Sequence, residues 1–157
     1  MDDDYLCFNV DKIRLGIPLR NIDRVISAVA VRLLPNSPAI IHGLIDFYGT
    51  LVPVINLRHR LNLEETAIKP DQVFVVVNTS VRKLILVADS VQGLVPLKTS
   101  GIIAATSIDE DLEPNDIYMT EEGIILIFDT EKFIKGEEIL QFEIDMIQNQ
   151  SDPPLRV

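Results

Sequence analysis

The sequence predicts a mainly β protein: two small barrels of roughly five strands each, packed together, with short helices between strands and a helix near the C-terminus. Three observations carry this. Short apolar runs recur with a period of two, turn residues such as Asp11-Lys12, Tyr48-Gly49 and Glu121-Glu122-Gly123 separate them, and a strand, turn, strand, helix unit recurs weakly in the two halves. In that recurrence, Gly49 precedes an apolar strand, the capping residue Asn56 and a short helix ending at Leu61. Gly123 precedes an apolar strand, Asp129 and a short helix ending at Ile134.

Taken in order, Leu6, Phe8 and Val10 share one face of a strand over Tyr5–Val10, and Ile13, Leu15, Ile17 and Leu19 share one face of a strand over Ile13–Leu19. Asp11-Lys12 makes the hairpin turn between them. After Asn21, Ile22, Val25, Ile26 and Val29 stand at i, i+3, i+4 and i+7, which predicts a short amphipathic helix. A strand over Val29–Leu34 then ends in Pro35-Asn36-Ser37-Pro38, because proline fixes φ and lacks an amide donor.

Ile40–Phe47 and Leu51–Ile55 form the next hairpin, with Pro53 placing its strand at an edge or a bulge, and Asn56 caps a helical turn through Leu61. Val73–Asn78 and Leu84–Ala88 are continuous apolar, β-branched runs, the pattern of strands buried on both faces. Residues 98–115 lose the pattern and read as a mobile loop. Ile117–Thr120 and Ile124–Phe128 make the last hairpin, and Asp129 caps a helix through Ile134. Between Leu140 and Ile147 the apolar spacing fits either a strand or a broad helical stripe, with the helix preferred, and residues 151–157, containing Pro153-Pro154, read as a frayed tail. Residues 1–150 are thus expected to be a single domain of two intertwined barrels.

The chain has 157 residues, 47% of them hydrophobic and 24% charged, which suits a globular domain with a sizeable core. Its formal charge is −10, from 24 acidic and 14 basic residues, and the basic residues are scattered, so nucleic acid is not an expected ligand. A single cysteine, Cys7, excludes an intrachain disulfide and points to a reducing compartment. The acidic start Met1-Asp2-Asp3-Asp4 and the lack of any apolar run near ~20 residues predict a cytoplasmic chain that neither carries a signal peptide nor inserts into a membrane.

Signals for catalysis are sparse. HExxH, GxSxG, GxGxxG and GxxxxGK are all missing, and the two histidines, His42 and His59, read as structural residues. Asp109-Glu110-Asp111 with Glu113 lacks EF-hand spacing and reads as a solvated loop, and Cys7 has no basic neighbour in sequence to activate it. No enzyme activity, metal or cofactor is expected. Pro35, Pro38, Gly43, Gly49 and Pro53 crowd one stretch and fix its backbone path, either as ordinary barrel turns or as a shaped binding surface.

That stretch carries a resemblance. Leu34-Pro35-Asn36-Ser37-Pro38-Ala39-Ile40-Ile41-His42-Gly43-Leu44-Ile45 and Gly49-Thr50-Leu51-Val52-Pro53-Val54-Ile55-Asn56-Leu57-Arg58 are similar, in order and spacing, to segments of the CheW family of bacterial chemotaxis coupling proteins. Phe8-Asn9-Val10, Gly16-Ile17-Pro18, Val87-Ala88-Asp89-Ser90-Val91, Ile124–Phe128 and Glu131-Lys132-Phe133-Ile134 extend the likeness over residues 5–135. The resemblance implies SH3-like barrels and a non-catalytic adaptor that couples the cytoplasmic tips of methyl-accepting chemoreceptors to the regulatory domain of a CheA-type histidine kinase. It places receptor-binding positions at Ile22, Arg24, Gly43, Tyr48 and Gly49, and kinase-binding positions at Val31 and Leu33. Two departures stand out: Asp46-Phe47-Tyr48-Gly49 where the family usually reads Asn-Leu-Arg-Gly, and Arg24 where the family is often acidic.

Two other readings compete with it. One is a diverged scaffold of a non-chemotaxis signalling pathway, in which Phe47-Tyr48 meets another partner; the other is a small-ligand-binding barrel with its site beneath the 98–115 loop.

Overall fold

The first strand already requires two cores. In the computed structural model, which describes residues 2–33, 38–98, 101–104 and 116–132, β1 (Asp2–Val10) turns Leu6, Phe8 and Val10 toward a core shared by two sheets. The alternate residues Tyr5 and Cys7 face a separate core on the other side. Successive side chains of a strand point oppositely, so a strand apolar at both sets is buried on both faces. β2 (Ile13–Pro18) pairs antiparallel with β1 through a turn in which Asp11 takes a φ of 55°.

Beyond Pro18 the structure corrects the expected helix. One 3-10 turn, Leu19–Asn21, leads into a strand, β3 (Ile22–Ser27). A bulge at Asp23 explains the difference: Ile22, packed against the shared core, lies opposite Val77, and Val25, on the same side but exposed, lies opposite Val75, whereas Ile26 lies opposite Phe74 on the other face. An extra residue in a strand thus puts positions i and i+3 on one side, which imitates a helical stripe. The strand expected over Val29–Leu34 reduces to an isolated bridge between Arg32 and Leu44, and residues 34–37 lie outside the described residues.

β4 (Ile41–Phe47) and β5 (Thr50–Ile55) form the predicted hairpin, with Tyr48 and Gly49 at φ of 54° and 84° in its turn. Asn56 caps α1 (Leu57–Arg60), its side-chain oxygen accepting from the His59 amide at 3.2 Å. β6 (Val73–Asn78) and β7 (Lys83–Ala88) are buried on both faces, as their sequences predict. β8 (Ser90–Lys98) follows, a strand that Gly93 and Pro96 conceal in the sequence; Pro96 is tolerated because β8 lies at a sheet edge. β9 (Ile102–Ala104), β10 (Asp116–Thr120) and β11 (Gly123–Ile127) complete the strands, and a 3-10 turn, Thr130–Lys132, follows with the Asp129 carboxylate accepting from the Glu131 amide at 3.0 Å.

Six strands form one sheet in the order β8-β1-β2-β11-β10-β9, and five form the other in the order β3-β6-β7-β5-β4. The internal repeat is therefore larger than its sequence trace. β1-β2-β3 with the β4–β5 hairpin matches β6-β7-β8 with the β10–β11 hairpin; in each half the first two strands lie in one sheet, and the third strand and the hairpin lie in the other. Each sheet also contains one parallel contact, β2 with β11 and β5 with β7, where the two halves meet edge to edge. Pro53 sits in an interior strand, not at an edge; the parallel ladder to β7 begins only at Val54, so the missing donor of Pro53 is not needed there.

Phe8, Leu15 and Ile17 from one sheet meet Val75, Val77 and Leu86 from the other in the shared core, which Phe128 and Leu57 close. Each sheet curls around a smaller core of its own: Phe74, Val76, Ile85 and Val52 in the five-stranded one, Tyr5, Cys7, Ile125 and Ile127 in the six-stranded one. One sheet has six strands where five were expected, and neither strand order is a closed ring among the described residues. The five-stranded sheet comes close, since Arg32 and Leu44 exchange two backbone hydrogen bonds of 2.9 and 2.8 Å across the gap. The expected C-terminal helix, the tail at 151–157 and most of the 98–115 loop lie outside the described residues.

The Arg32–Leu44 bridge explains Gly43. A Cβ at Gly43 would overlap the carbonyl oxygen of Arg32 and lie 2.8 Å from Val31 Cγ1. Gly43→Ala is expected to destabilise the protein by about 1–3 kcal/mol, the range for overpacking a tight site. Chemical denaturation measures this, and an unchanged midpoint would mean that the bridge opens at no cost.

Candidate functional site

Arg24 stands on the face of β3 that lies over the small core of the five-stranded sheet, opposite Val76. Its guanidinium carbon is 5.1 Å from the ring centroid of Phe47 and 5.4 Å from that of Tyr48. The two rings meet edge to face at 4.8 Å. Two sites that the resemblance names from separate segments, Arg24 and Tyr48, are thus brought into one cluster by a strand and a hairpin turn. Tyr48 is 84% exposed, a large aromatic surface to leave open to solvent. Its turn is held by the Asp46 carboxylate, which accepts from the Gly49 amide at 2.8 Å. Gly49 supplies the positive φ that this tight hairpin requires.

Two charged neighbours had no signal in the sequence. Asp23, bulged out of β3, accepts from Arg24 Nε at 3.1 Å and lies 3.5 Å from Lys83 Nζ. Residue spacing cannot reveal this, because Lys83 comes from the adjoining β6–β7 hairpin and the bulge alone decides where Asp23 points.

The remaining expected positions divide. Ile22 lies on the opposite face of β3 from Arg24, packed partly against the shared core. Gly43 is buried beneath the Arg32–Leu44 bridge and presents no side chain. Val31 packs partly against the small core of the five-stranded sheet, whereas Leu33 is 79% exposed. Leu33 continues a run of exposed apolar residues, Val25 and Val29, along the same segment.

The described residues give catalysis little to work with. Burial pushes the imidazole of His42 below its ordinary pKa, while Glu65 opposes that shift. The pocket beside His42 has a volume of 10 Å³, room for about one water. His59 Nδ1 lies 3.5 Å from a Glu65 oxygen that also accepts from Asn56 at 2.8 Å, which ties both to the α1 cap. Burial pushes the Cys7 thiol up, with Arg14 opposing, so it is the reverse of an activated nucleophile. Among the described residues no group of three or more His, Cys, Asp or Glu side chains could hold a metal. The acidic stretch 109–113 lies outside them. A groove of 350 Å³ runs between Pro18, Arg20, Asp116, Asp129 and Glu131; its lining is polar and charged, unlike the mostly apolar pockets that hold small molecules.

One polar hub ties the fold together. Asp89, at the crossing from β7 to β8, accepts from the Asp11 amide at 2.6 Å, from Gln72 Nε2 at 2.7 Å and from Arg58 at 3.1 Å. Its own amide donates to the Asn9 carbonyl at 2.8 Å. Burial alone would raise its pKa, but the Asp11 amide, Gln72 and Arg58 outweigh that and hold it below the ordinary carboxylate value. Arg58 from α1 and Asp11 from the β1–β2 turn thereby meet on one carboxylate.

The fold agrees with comparisons against known proteins. The CheW-like domain family model matches residues 4–138. The chain belongs to the CheW-like domain family. It is 31% identical over 102 residues to protein FrzA of Myxococcus xanthus, a match spanning 65% of this chain and 64% of that protein, just under two thirds of its length. It is 24% identical over 141 residues to the chemotaxis protein CheW of Klebsiella aerogenes, spanning 87% of this chain and 84% of that protein. A crystal structure of the scaffolding protein TtCheW from Thermoanaerobacter tengcongensis superposes with a TM-score of 0.80, at 22% identity, over 89% of this chain and 99% of that one. The chain is accordingly homologous to chemotaxis CheW proteins and to FrzA. None of its described helices is long and apolar enough to cross a membrane.

In this CheW-like chain, Asp89→Asn keeps the shape but replaces one acceptor oxygen by a donor, and is expected to cost about 1–3 kcal/mol. The sign of the pH dependence follows from the lowered pKa. The stabilisation from ionised Asp89 is complete above the ordinary carboxylate pKa and is lost as pH falls through the lower, folded-state value. Thermal melts across the acid range should therefore show a shallower acid decline in Asp89→Asn than in the parent; parallel curves would remove Asp89 from the account.

Proposed function

We propose that this CheW-like chain is a non-catalytic cytoplasmic adaptor that couples chemoreceptor cytoplasmic tips to the regulatory domain of a CheA-type histidine kinase. The observation that supports this best is the exposed Arg24–Phe47–Tyr48 cluster, built from two segments by a fold whose described residues offer no catalytic or metal constellation. Aromatic and arginine side chains are the residue types that dominate protein interfaces. The receptor tip docks at this cluster, with Gly49 setting the turn that presents Tyr48, Gly43 holding the β4 backbone against Arg32, and Ile22 bracing β3 from its opposite face.

The kinase domain docks on the segment that holds Val31 and Leu33. An exposed leucine following Val25 and Val29 provides an apolar strip for a partner to cover, and Val31 anchors the strip to the core beneath. In this reading the two curled sheets are the paired SH3-like barrels of one intertwined domain over residues 1–150, and the partner barrel in the kinase meets one of them end to end.

Calorimetric titration of the full chain with the kinase regulatory domain, at two salt concentrations, tests the adaptor reading. Saturable one-to-one binding is expected, weakened about tenfold or more in Leu33→Asp. Absence of binding by the parent would shift the assignment to a diverged scaffold with a different partner. Titration with a receptor cytoplasmic fragment should likewise weaken about tenfold in Tyr48→Ala, which removes an exposed anchor and leaves the melting temperature unchanged.

A further inference from the structure

We infer that Arg24 is the specificity-determining residue of the receptor-facing surface and that it reads a side-chain carboxylate on the partner. This rests on the receptor-docking proposal above and adds to it the chemistry the partner must present.

The argument begins with how the guanidinium is held. The Phe47 and Tyr48 rings lie at 5.1 and 5.4 Å from its central carbon, and Asp23 takes its Nε at 3.1 Å. Stacking on aromatic faces and one ion pair fix the orientation of an otherwise flexible side chain, so less freedom is lost when a ligand arrives. Among the described residues the two terminal nitrogens have no hydrogen-bond acceptor, although the side chain is 46% exposed. Those two nitrogens form the end of the planar fork, which matches the two oxygens of a carboxylate.

Local charge supports the same occupant. Asp23 is shared between Arg24 and Lys83, two cations on one carboxylate, while the Asp46 carboxylate of the adjoining turn is engaged by the Gly49 amide, so the cluster is locally neutral within a chain of formal charge −10. An acidic side chain is therefore repelled less here than by the acidic surface at large, and it meets the Arg24 fork directly. Next to the fork, the exposed ring of Tyr48 offers an apolar face. The partner that fits is a protein segment with a glutamate or aspartate flanked by apolar side chains, the carboxylate on Arg24 and its apolar neighbour on Tyr48.

The test titrates a receptor cytoplasmic fragment into the full chain and its Arg24→Gln, Arg24→Lys and Arg24→Glu variants, with the kinase regulatory domain as a parallel ligand. Arg24→Gln is expected to weaken receptor binding about tenfold or more and to flatten its salt dependence. Arg24→Lys should not restore affinity, since an ammonium cannot bind bidentately. Arg24→Glu should bind worst and be rescued by reversing one acidic residue of the receptor fragment to lysine or arginine. Kinase binding should stay unchanged throughout, which shows that the variants are folded. Parent-level receptor binding by Arg24→Glu would overturn this inference and leave the adaptor reading standing. Kinase binding without any receptor binding by the parent would overturn the receptor-docking proposal and this inference together.

Discussion

The division of each half of the chain between the two sheets, at the passages from β2 to β3 and from β7 to β8, is the constraint on which the rest of this molecule depends. Each half of the chain puts its first two strands in one sheet and its third strand and hairpin in the other, so neither sheet can form without residues from both halves. The shared core follows from it. Strands buried on both faces, such as β1 and β6, turn one set of side chains to the curl of their own sheet and the other set to the opposing sheet. Such a chain has to collapse as one cooperative unit, because the apolar surface of either half alone stays open to water.

Polar contacts sit where this division would otherwise be loosest. Asp89 lies at the crossing into β8 and gathers the β1–β2 turn, Gln72 and α1 onto one carboxylate. At the other crossing, Arg32 and Leu44 bridge the gap between the two edges of the five-stranded sheet, and Gly43 leaves room for that approach. A glycine that the family resemblance places at a binding surface therefore has a sufficient structural reason of its own. Any effect of replacing it on partner binding would reach the surface through the backbone of β4, which leads directly to Phe47 and Tyr48.

The proposed docking surface is a product of the same topology. β3 reaches the five-stranded sheet only because it leaves the first, and the bulge at Asp23 then turns Arg24 toward the β4–β5 hairpin while Ile22 stays with the shared core. The cluster joins an aromatic pair to a guanidinium and leaves both partly open to solvent, a combination that favours recognition over stability, since exposed ion pairs contribute little to folding.

The sequence by itself determined the class of fold, the β4–β5, β6–β7 and β10–β11 hairpins, the Asn56 cap and the family, because periodicity, turn residues and capping are local and each strand carries its own record of them. It misread β3 as a helix and missed β8, because a bulge and an edge proline disturb the local period in ways that only the pairing partner resolves. Of the site, the aromatic turn and Arg24 were legible as residue types, whereas their meeting, the sharing of Asp23 with Lys83, and the separation of Ile22 onto the other face were decided by tertiary structure. The physical reason is that a strand's facing depends on its register against a neighbour far away in the chain. One displaced residue, Asp23, inverts which side chains meet.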